Sequence, residues 1–403
     1  MYIVDVYCGC KILFHSFIHS TNYRIYYRSD KMASAQSEEK NDKALDSPRP
    51  AVYRFVQEAL DTLFLKHTKT DCFSDFEEQC NEINSPKFLS PLEHGYEAIS
   101  ARLAYILLHF TQHTYLVNSV LSDAYAACTN LQSRTTVFNE LMRSIDWGKI
   151  SIFSFGGGPA PDVFGVLMWL HRFGFNVRVQ AATADSCKHW EDTTKSLLDE
   201  MQFESLDEES KPTQQQKYMH NLWKKLDGGI KFVHSGLKSS TSLLKSGSKE
   251  LVAIGQADIV TLSFALSPIA DCAETSDALQ GVLNALKPGA LLVYLDHTEG
   301  TQTELINNMA YWCGMRRIYF MKEMKYSMPK YESTDLLEKY AKSLDKPVLR
   351  ESKVTAIVYK KPSGYSFDKK IKMTRREQNN IKQAQIRLKK TNPDFKLFRP
   401  TYY

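Results

Sequence analysis

The middle of the chain alternates between two hydrophobic patterns. Short, nearly continuous apolar runs occupy residues 151–155, 175–185, 230–237, 257–266 and 290–296. Between them lie longer segments that are apolar at every third or fourth position. Apolar runs without polar alternation are typical of strands buried on both faces, as in parallel sheets. The alternation therefore predicts an α/β protein in which strands and helices follow one another.

The segment 271–286 shows the helical pattern most clearly. Its apolar residues Leu279, Val282, Leu283 and Leu286 have the spacing of one helix face. Lys287-Pro288-Gly289 then ends the pattern, because Pro and Gly terminate helices. The sequence predicts a helix here, followed directly by the strand 290–296.

Residues 51–145 are predicted to form a helical N-terminal region. Residues 51–65 carry one apolar stripe, and 100–110 and 114–128 are two further helical candidates. We expect residues 1–50 to be disordered or an extension, with 1–31 lying upstream of a start at Met32. Residues 1–17 are too short and too interrupted by charge to span a membrane, so no membrane contact is expected.

The run 151–155 leads into three glycines, Gly156, Gly157 and Gly158, followed by Pro159. Glycine permits positive φ and lets a ligand approach the backbone. A helix predicted at 163–173 would offer free N–H groups at its start, and we expect Asp162 to cap it. The alternative is a tight turn that binds nothing.

The next run ends in Asp185, 27 residues after Gly158. An acidic residue after the second strand of a nucleotide-binding sheet holds ribose hydroxyls. The alternative is a solvated loop aspartate. Asp185 is thus a candidate ribose ligand.

Together these segments resemble the class I S-adenosylmethionine-dependent methyltransferases. The resemblance rests on residues 153–159, Asp185, residues 258–266 and residues 283–296, where a helix ends in Leu-Lys-Pro-Gly before a buried strand. It spans about 146–361 and implies a doubly wound, seven-stranded Rossmann-like sheet. The last two strands would form an antiparallel hairpin near 315–321 and 354–360, and the cofactor would be S-adenosyl-L-methionine.

The resemblance also implies a site at the carboxyl ends of the strands. The cofactor-binding candidates are Phe155, Gly156, Gly157, Gly158, Pro159, Asp162, Asp185, Ser235, Gly236, Ser263 and Phe264. Asp296 and His297 are candidates for a general base. Two positions depart from the family pattern: Ser154 and Gly236 stand where acidic residues are usual.

No metal site is predicted. His109 and His113 have the i, i+4 spacing of one helix face, but no third ligand accompanies them. The eight cysteines form no CxxC pair, which argues against a zinc ribbon or a thioredoxin-like site. Reduced thiols favour a cytoplasmic or nuclear location.

Residues 362–403 form a basic tail. From Lys360 to Tyr403 there are 13 Lys and Arg against 3 Asp and Glu, a net charge of +10 in a chain of +5, so the rest is about −5. Cations interleaved with Phe395, Phe398, Tyr402 and Tyr403 suit phosphate contact and base stacking, which suggests RNA as a partner. The alternative is a solvated tail or a nuclear import signal.

The resemblance implies an S-adenosylmethionine-dependent methyltransferase, and the tail suggests that it acts on RNA, with ribosomal RNA as one candidate substrate. Two alternatives stay open. Ser154 and Gly236 are compatible with an inactive member of the fold that binds RNA or a protein. If the protein is instead a small-molecule methyltransferase, the tail would serve only as a targeting signal.

Overall fold

The computed structural model describes residues 48–67, 75–76, 78–80, 96–130, 138–202, 212–235, 248–267, 273–298, 301–327 and 351–362. The expectations for residues 1–47, for Gly236 and for the tail beyond 362 lie outside these residues. Within these ranges, no helix has the length and apolar character needed to cross a membrane.

Strands and helices alternate through the central part, as the sequence predicts. The strands are β1 Lys149–Phe155, β2 Arg178–Asp185, β3 Leu226–His234, β4 Ile259–Ser263, β5 Leu291–His297, β6 Arg316–Ser327 and β7 Glu351–Lys360. The helices are α1 Pro48–His67, α2 Ile99–Tyr105, α3 Thr111–Asn130, α4 Asn139–Asp146, α5 Pro161–Arg172, α6 Trp190–Met201, α7 Gln214–Trp223, α8 Lys249–Gln256, α9 Ala273–Ala285 and α10 Gln302–Trp312. Strand β3 begins earlier than the predicted run at 230–237.

The seven strands form one sheet in the order β3-β2-β1-β4-β5-β7-β6. Strands β1 to β5 pair in parallel, whereas β7 is antiparallel to both of its neighbours. This confirms the doubly wound α/β sheet with a terminal antiparallel hairpin. The strand order reverses between β1 and β4, and ligands of such sheets bind beyond the carboxyl ends of the strands at that point. The edge of the sheet formed by these ends is called the carboxyl edge below.

Helices cover both faces of the sheet. One core joins the N-terminal helices to one face and includes Val52, Leu103, Val117, Ile152 and Val358. The other core lies on the opposite face and joins α8, α9 and α10 to alternate strand residues. The N-terminal helices therefore share a hydrophobic core with the sheet.

Helices α2 and α3 are joined by a π-helical turn, Ile106–Phe110, which makes residues 99–130 one continuous helical stretch. The sequence predicted two separate helices at 100–110 and 114–128. Gly165 of α5 lets α3 approach closely, because a Cβ there would lie 2.6 Å from the Thr114 carbonyl oxygen. Single π turns inside helices are frequent at functional sites.

Candidate functional site

The candidate site residues predicted from the sequence lie together at the carboxyl edge, as far as the structure describes them. Phe155, Asp185 and Ser263 end β1, β2 and β4. Ser235 follows β3 directly, and Asp296 and His297 end β5. Parallel strands end on the same side of a sheet, so these residues lie along one edge.

The glycine loop after β1 is tightly enclosed by its own neighbours. Gly156 and Gly158 have φ of 62° and 44°, in the left-handed region that favours glycine. A Cβ at Gly156 would lie 2.8 Å from the Cβ of Ala265. A Cβ at Gly157 would collide with the Ser154 hydroxyl and lie 2.6 Å from Thr183 Oγ1. Only glycine fits at these positions without displacing neighbouring atoms.

Asp185 is hydrogen-bonded to this loop. Its Oδ2 accepts the Gly158 N–H at 3.0 Å, and its Oδ1 accepts the Cys187 N–H at 3.0 Å. Burial raises the pKa of Asp185, and the backbone N–H groups of Cys187 and Gly158 oppose that rise. Each carboxylate oxygen has a further lone pair with which it can accept a ligand hydroxyl.

Asp162 does not cap helix α5, and that expectation is wrong. The helix begins at Pro161, and its N-cap is Ala160, whose φ of 65° is left-handed and whose side chain makes no cap bond. Proline suits a first helical position because its missing N–H would have no partner there. Asp162 comes one residue later and is directed inward, with only 1% of its surface exposed.

The Asp162 carboxylate instead joins three elements beneath the glycine loop. Its Oδ2 accepts the hydroxyls of Ser154 on β1 at 3.1 Å and Thr261 on β4 at 2.7 Å. Burial raises the pKa of Asp162 to about 6, against the lowering effect of the hydroxyls of Thr261 and Ser154. A carboxylate is therefore present beside position 154, although residue 154 is a serine.

Five buried polar atoms at the carboxyl edge and in the residues around it have no hydrogen-bond partner among the described residues. They are Asp162 Oδ1, Thr183 Oγ1, Trp190 Nε1 and the hydroxyls of Ser235 and Ser263. Buried polar atoms in folded proteins nearly always have a partner, supplied by protein, water or ligand. Their clustering fits a polar ligand or ordered water at this edge.

An aromatic cover, formed by Tyr96, Tyr105, His109, His113 and Trp190, lies over the site. A Cβ at Gly158 would be 3.3 Å from the Trp190 ring. The ring centroids of Tyr96 and Tyr105 lie 5.2 Å and 5.4 Å from that of Trp190. The Cys187 thiol donates to the Tyr96 carbonyl at 3.2 Å, which ties the cover to the loop after β2.

The histidine end of the cover reaches β4 and β5. His113 stacks on Phe264, with ring centroids 4.2 Å apart and planes 11° apart, and its Nδ1 lies 3.0 Å from the Tyr105 hydroxyl. The Phe264 ring also meets the His297 ring edge-on at 5.0 Å. Phe264 has a φ of 54°, rare for a bulky residue, and strain of this kind clusters at functional sites.

Both histidines of the cover have lowered pKa values. Burial, with a smaller effect of His297, lowers the pKa of His109 to about 4, against the raising effect of a hydrogen bond with Gln112. Burial also lowers the pKa of His113 well below its usual range, with added effects from His109 and His297. In the part of the chain that the structure describes, no group of three or more His, Cys, Asp or Glu side chains could hold a metal ion.

Asp296 connects the loops that follow β4 and β5. Its Oδ2 accepts the Ser267 N–H at 3.0 Å, and its Oδ1 accepts the His297 N–H at 2.8 Å. Burial raises the pKa of Asp296 to about 6. The carboxyl group thus holds backbone in place, and a general-base role for Asp296 or His297 stays a prediction.

A cavity of about 490 Å³ lies elsewhere, at the amino ends of the strands around Arg178 and Lys225. None of its lining residues belongs to the glycine loop or the aromatic cover.

No protein-family model matches the chain, and no curated protein matches it. Solved structures do resemble it. An O-methyltransferase family protein from Burkholderia thailandensis is 13% identical, with a TM-score of 0.34, over 77% of this chain and 73% of that chain. A 16S rRNA (adenine(1408)-N(1))-methyltransferase from Catenulisporales acidiphilia, solved with SAM, is 13% identical, with a TM-score of 0.32, over 57% and 92%. An arsenic (III) S-adenosylmethionine methyltransferase from Chlamydomonas reinhardtii is 11% identical, with a TM-score of 0.30, over 54% and 65%.

Scores this low add nothing to the fold assignment, which rests on the strand order and directions. The seven-stranded sheet with an antiparallel β7 between β5 and β6 is the Rossmann-like fold of the class I methyltransferases.

Proposed function

We propose that the protein is an S-adenosylmethionine-dependent methyltransferase. One observation carries the proposal: Asp185, at the end of β2, is hydrogen-bonded to Gly158 in the glycine loop that follows β1. In doubly wound sheets this pairing of an acid with a glycine loop is the place where a ribose and its neighbouring groups bind. The fold supports the same class.

The side chains at the carboxyl edge fit this cofactor. Asp185 has free lone pairs for the ribose hydroxyls. The loop glycines allow close approach, and Asp162, Thr183 and Ser235 offer polar atoms that have no partner among the described residues. When bound, S-adenosylmethionine supplies a methyl group activated by its sulfonium charge.

The aromatic cover must shift for a ligand to reach the loop, because Trp190 packs against Gly158. Once closed again, the cover would exclude water from the edge. The imidazoles of His109 and His113 are neutral at pH 7, so each has one nitrogen able to accept a proton. Of these, His113 Nδ1 lies beside the Tyr105 hydroxyl.

Calorimetric titration with S-adenosylmethionine and with its demethylated product tests the proposal. We expect micromolar binding by the wild type. Asp185→Asn should weaken it about ten- to hundredfold, the effect of losing hydrogen bonds to a charged group. Asp199→Asn, an exposed carboxylate on α6, is the matched control and should bind like the wild type. Absence of binding by the folded wild type would overturn the proposal.

A non-catalytic member of the fold is the second candidate, and the closed aromatic cover favours it. In that case neither the wild type nor any variant would bind the cofactor or melt at a higher temperature in its presence. A ligand that binds the folded state alone raises the melting temperature, so a thermal scan with cofactor separates the two candidates.

For the methyl acceptor we propose RNA, with small molecules as the alternative. Support comes from the tail, in which residues 362–403 hold 11 Lys and Arg against 3 Asp and Glu, a net charge of +8. Deletion of residues 364–403 should leave cofactor affinity unchanged and weaken RNA binding. It should also reduce the salt dependence of RNA binding by about 0.7 per lost phosphate contact. Equal salt slopes with and without the tail would refute this assignment.

A further inference from the structure

Three neighbouring parallel strands begin at or beside a cation. Lys149 is the first residue of β1, Arg178 is the first of β2, and Lys225 immediately precedes β3. The three strands lie side by side in the order β3-β2-β1, and their amino ends share one edge of the sheet. This amino edge is opposite the carboxyl edge and carries a local positive charge.

The charges at the amino edge are poorly compensated. Lys149 is paired in register with Arg178, and like charges directly opposite each other on adjacent strands are destabilising. Both side chains are exposed, and neither forms an ion pair with a side chain that the structure describes. The nearest acid along β3, Asp227, is exposed, and Asp258, which precedes β4, is already paired with Lys287 at 2.7 Å.

The cavity of about 490 Å³ lies at this edge. Its lining residues are Gly148, His171, Asn176, Val177, Arg178, Asn221, Lys224 and Lys225, a set without a carboxylate. The Lys225 ammonium donates to the Phe175 carbonyl at 2.7 Å and so helps to hold the wall. Arg178 and Lys224 are exposed. The volume falls in the range of small-ligand sites.

An exposed tryptophan stands one residue before the cavity wall in the chain. Trp147 is 81% exposed and directly precedes Gly148, one of the lining residues. The backbone of Gly148 is fixed against β2, since its carbonyl accepts the Arg178 N–H at 2.9 Å. An exposed aromatic ring one residue from a cationic cleft offers a surface on which a base can stack, because every base can stack on an aromatic face.

We propose that this amino-edge cleft binds a nucleoside phosphate, either free or as part of a single-stranded RNA. Arg178 and Lys224 contact the phosphate, Trp147 stacks on the base, and Lys225 supports the wall. The cleft is separate from the glycine loop, so the proposal does not depend on cofactor binding at the carboxyl edge.

Equilibrium binding to the full chain tests the proposal with three probes: inorganic phosphate, uridine 5′-monophosphate and a short single-stranded oligouridine. Arg178→Gln combined with Lys224→Gln should weaken the monophosphate and the RNA by about tenfold or more, as expected for lost charge-assisted hydrogen bonds. Trp147→Ala should weaken the same two probes by about tenfold and leave inorganic phosphate unchanged.

The matched control is Lys195→Gln combined with Lys249→Gln, which removes the same charge from exposed helix positions outside the cleft. All substituted side chains are exposed, so the variants should melt like the wild type. If the RNA binds much more tightly than the monophosphate, and both cleft variants lose that binding, the ligand of the cleft is a single-stranded RNA. If the two probes bind with similar affinity, the ligand is a free nucleotide. Binding that is equal in cleft and control variants, or no binding of any probe, overturns the proposal.

Discussion

The buried carboxylate of Asp162 provides a sharp test of the site's electrostatics. It is 1% exposed, no cation pairs with it in the described structure, and its Oδ1 has no hydrogen-bond partner there. Burial raises its pKa from 3.8 to about 6. The folded state therefore binds a proton that the unfolded state releases, and the stability from that proton is lost as pH rises from about 4 through 6.

The size of the effect on the free energy of unfolding follows from the shift in the pKa of Asp162. A shift of about two pKa units corresponds to about 3 kcal/mol of destabilisation once the group is ionised above pH 7, and to about 2 kcal/mol at pH 5. Asp162→Asn removes this penalty and keeps an oxygen for the hydroxyls of Ser154 and Thr261. Its NH₂ group would replace the unpartnered Oδ1, at a cost of about 1–3 kcal/mol. These effects nearly cancel, so the pH dependence of the difference is the informative quantity.

Thermal unfolding of the variant and the wild type at pH 5 and pH 7.5 measures that quantity. We expect the variant to gain about 1 kcal/mol relative to the wild type over this range, or about 2 °C in Tm. Asp199→Asn, at an exposed site, should show no such gain. A difference between Asp162→Asn and the wild type that is constant with pH would refute the buried-charge argument.

Three further outcomes are expected. Gly157→Ala should destabilise the fold by about 1–3 kcal/mol in urea unfolding, because its Cβ would collide with the Ser154 and Thr183 hydroxyls, whereas an unchanged midpoint would contradict the packing. Gly158→Val should abolish cofactor binding measured by calorimetry, since a branched side chain is strained at a φ of 44° and meets Trp190; wild-type affinity would place the cofactor elsewhere. Lowering the pH from 7 to 5 should raise the equilibrium constant for opening of the cover about tenfold, because an exposed His109 takes up a proton that the buried one, with a pKa of about 4, does not. The measurement is hydrogen exchange in residues 99–113, where protection factors, which correct for the slower intrinsic exchange at pH 5, should fall about tenfold. His109→Gln should reduce that pH effect, and an unchanged one would exclude His109 as its source.

The sheet could be predicted because its signals are local. Continuous apolar runs, the glycine loop and the Lys287-Pro288-Gly289 stop each depend on neighbouring residues alone, and the fold confirms the strands that they predict. The position of Asp185 could be predicted for the same reason, since it ends a strand whose pattern is clear. The boundary of β3 was less accurate, because its first residues, with two glycines, lack the apolar pattern.

The arrangement around the loop could not be predicted, because it depends on contacts between distant segments. The bond between Asp162 and Thr261 joins residues 99 positions apart, so the sequence suggested only the local role of a cap. The helical spacing of His109 and His113 predicted only that they share one face of a helix. Nothing along the chain indicated that they would lie close to Phe264 and His297. Trp190 likewise belongs to no motif, and its role as the cover over Gly158 follows from the tertiary fold alone.

The core shared by the first helix and the sheet has a consequence for synthesis of the chain. Helix α1 packs mainly against α6 and α7, with smaller contacts to the π turn and α3, and all of these segments leave the ribosome later. Its apolar stripe thus stays exposed to solvent or to chaperones during much of translation. Contacts between distant segments slow folding, and exposed apolar surface promotes aggregation in that interval. The N-terminal helices are accordingly the part of this protein in which a truncated or stalled chain would first become insoluble.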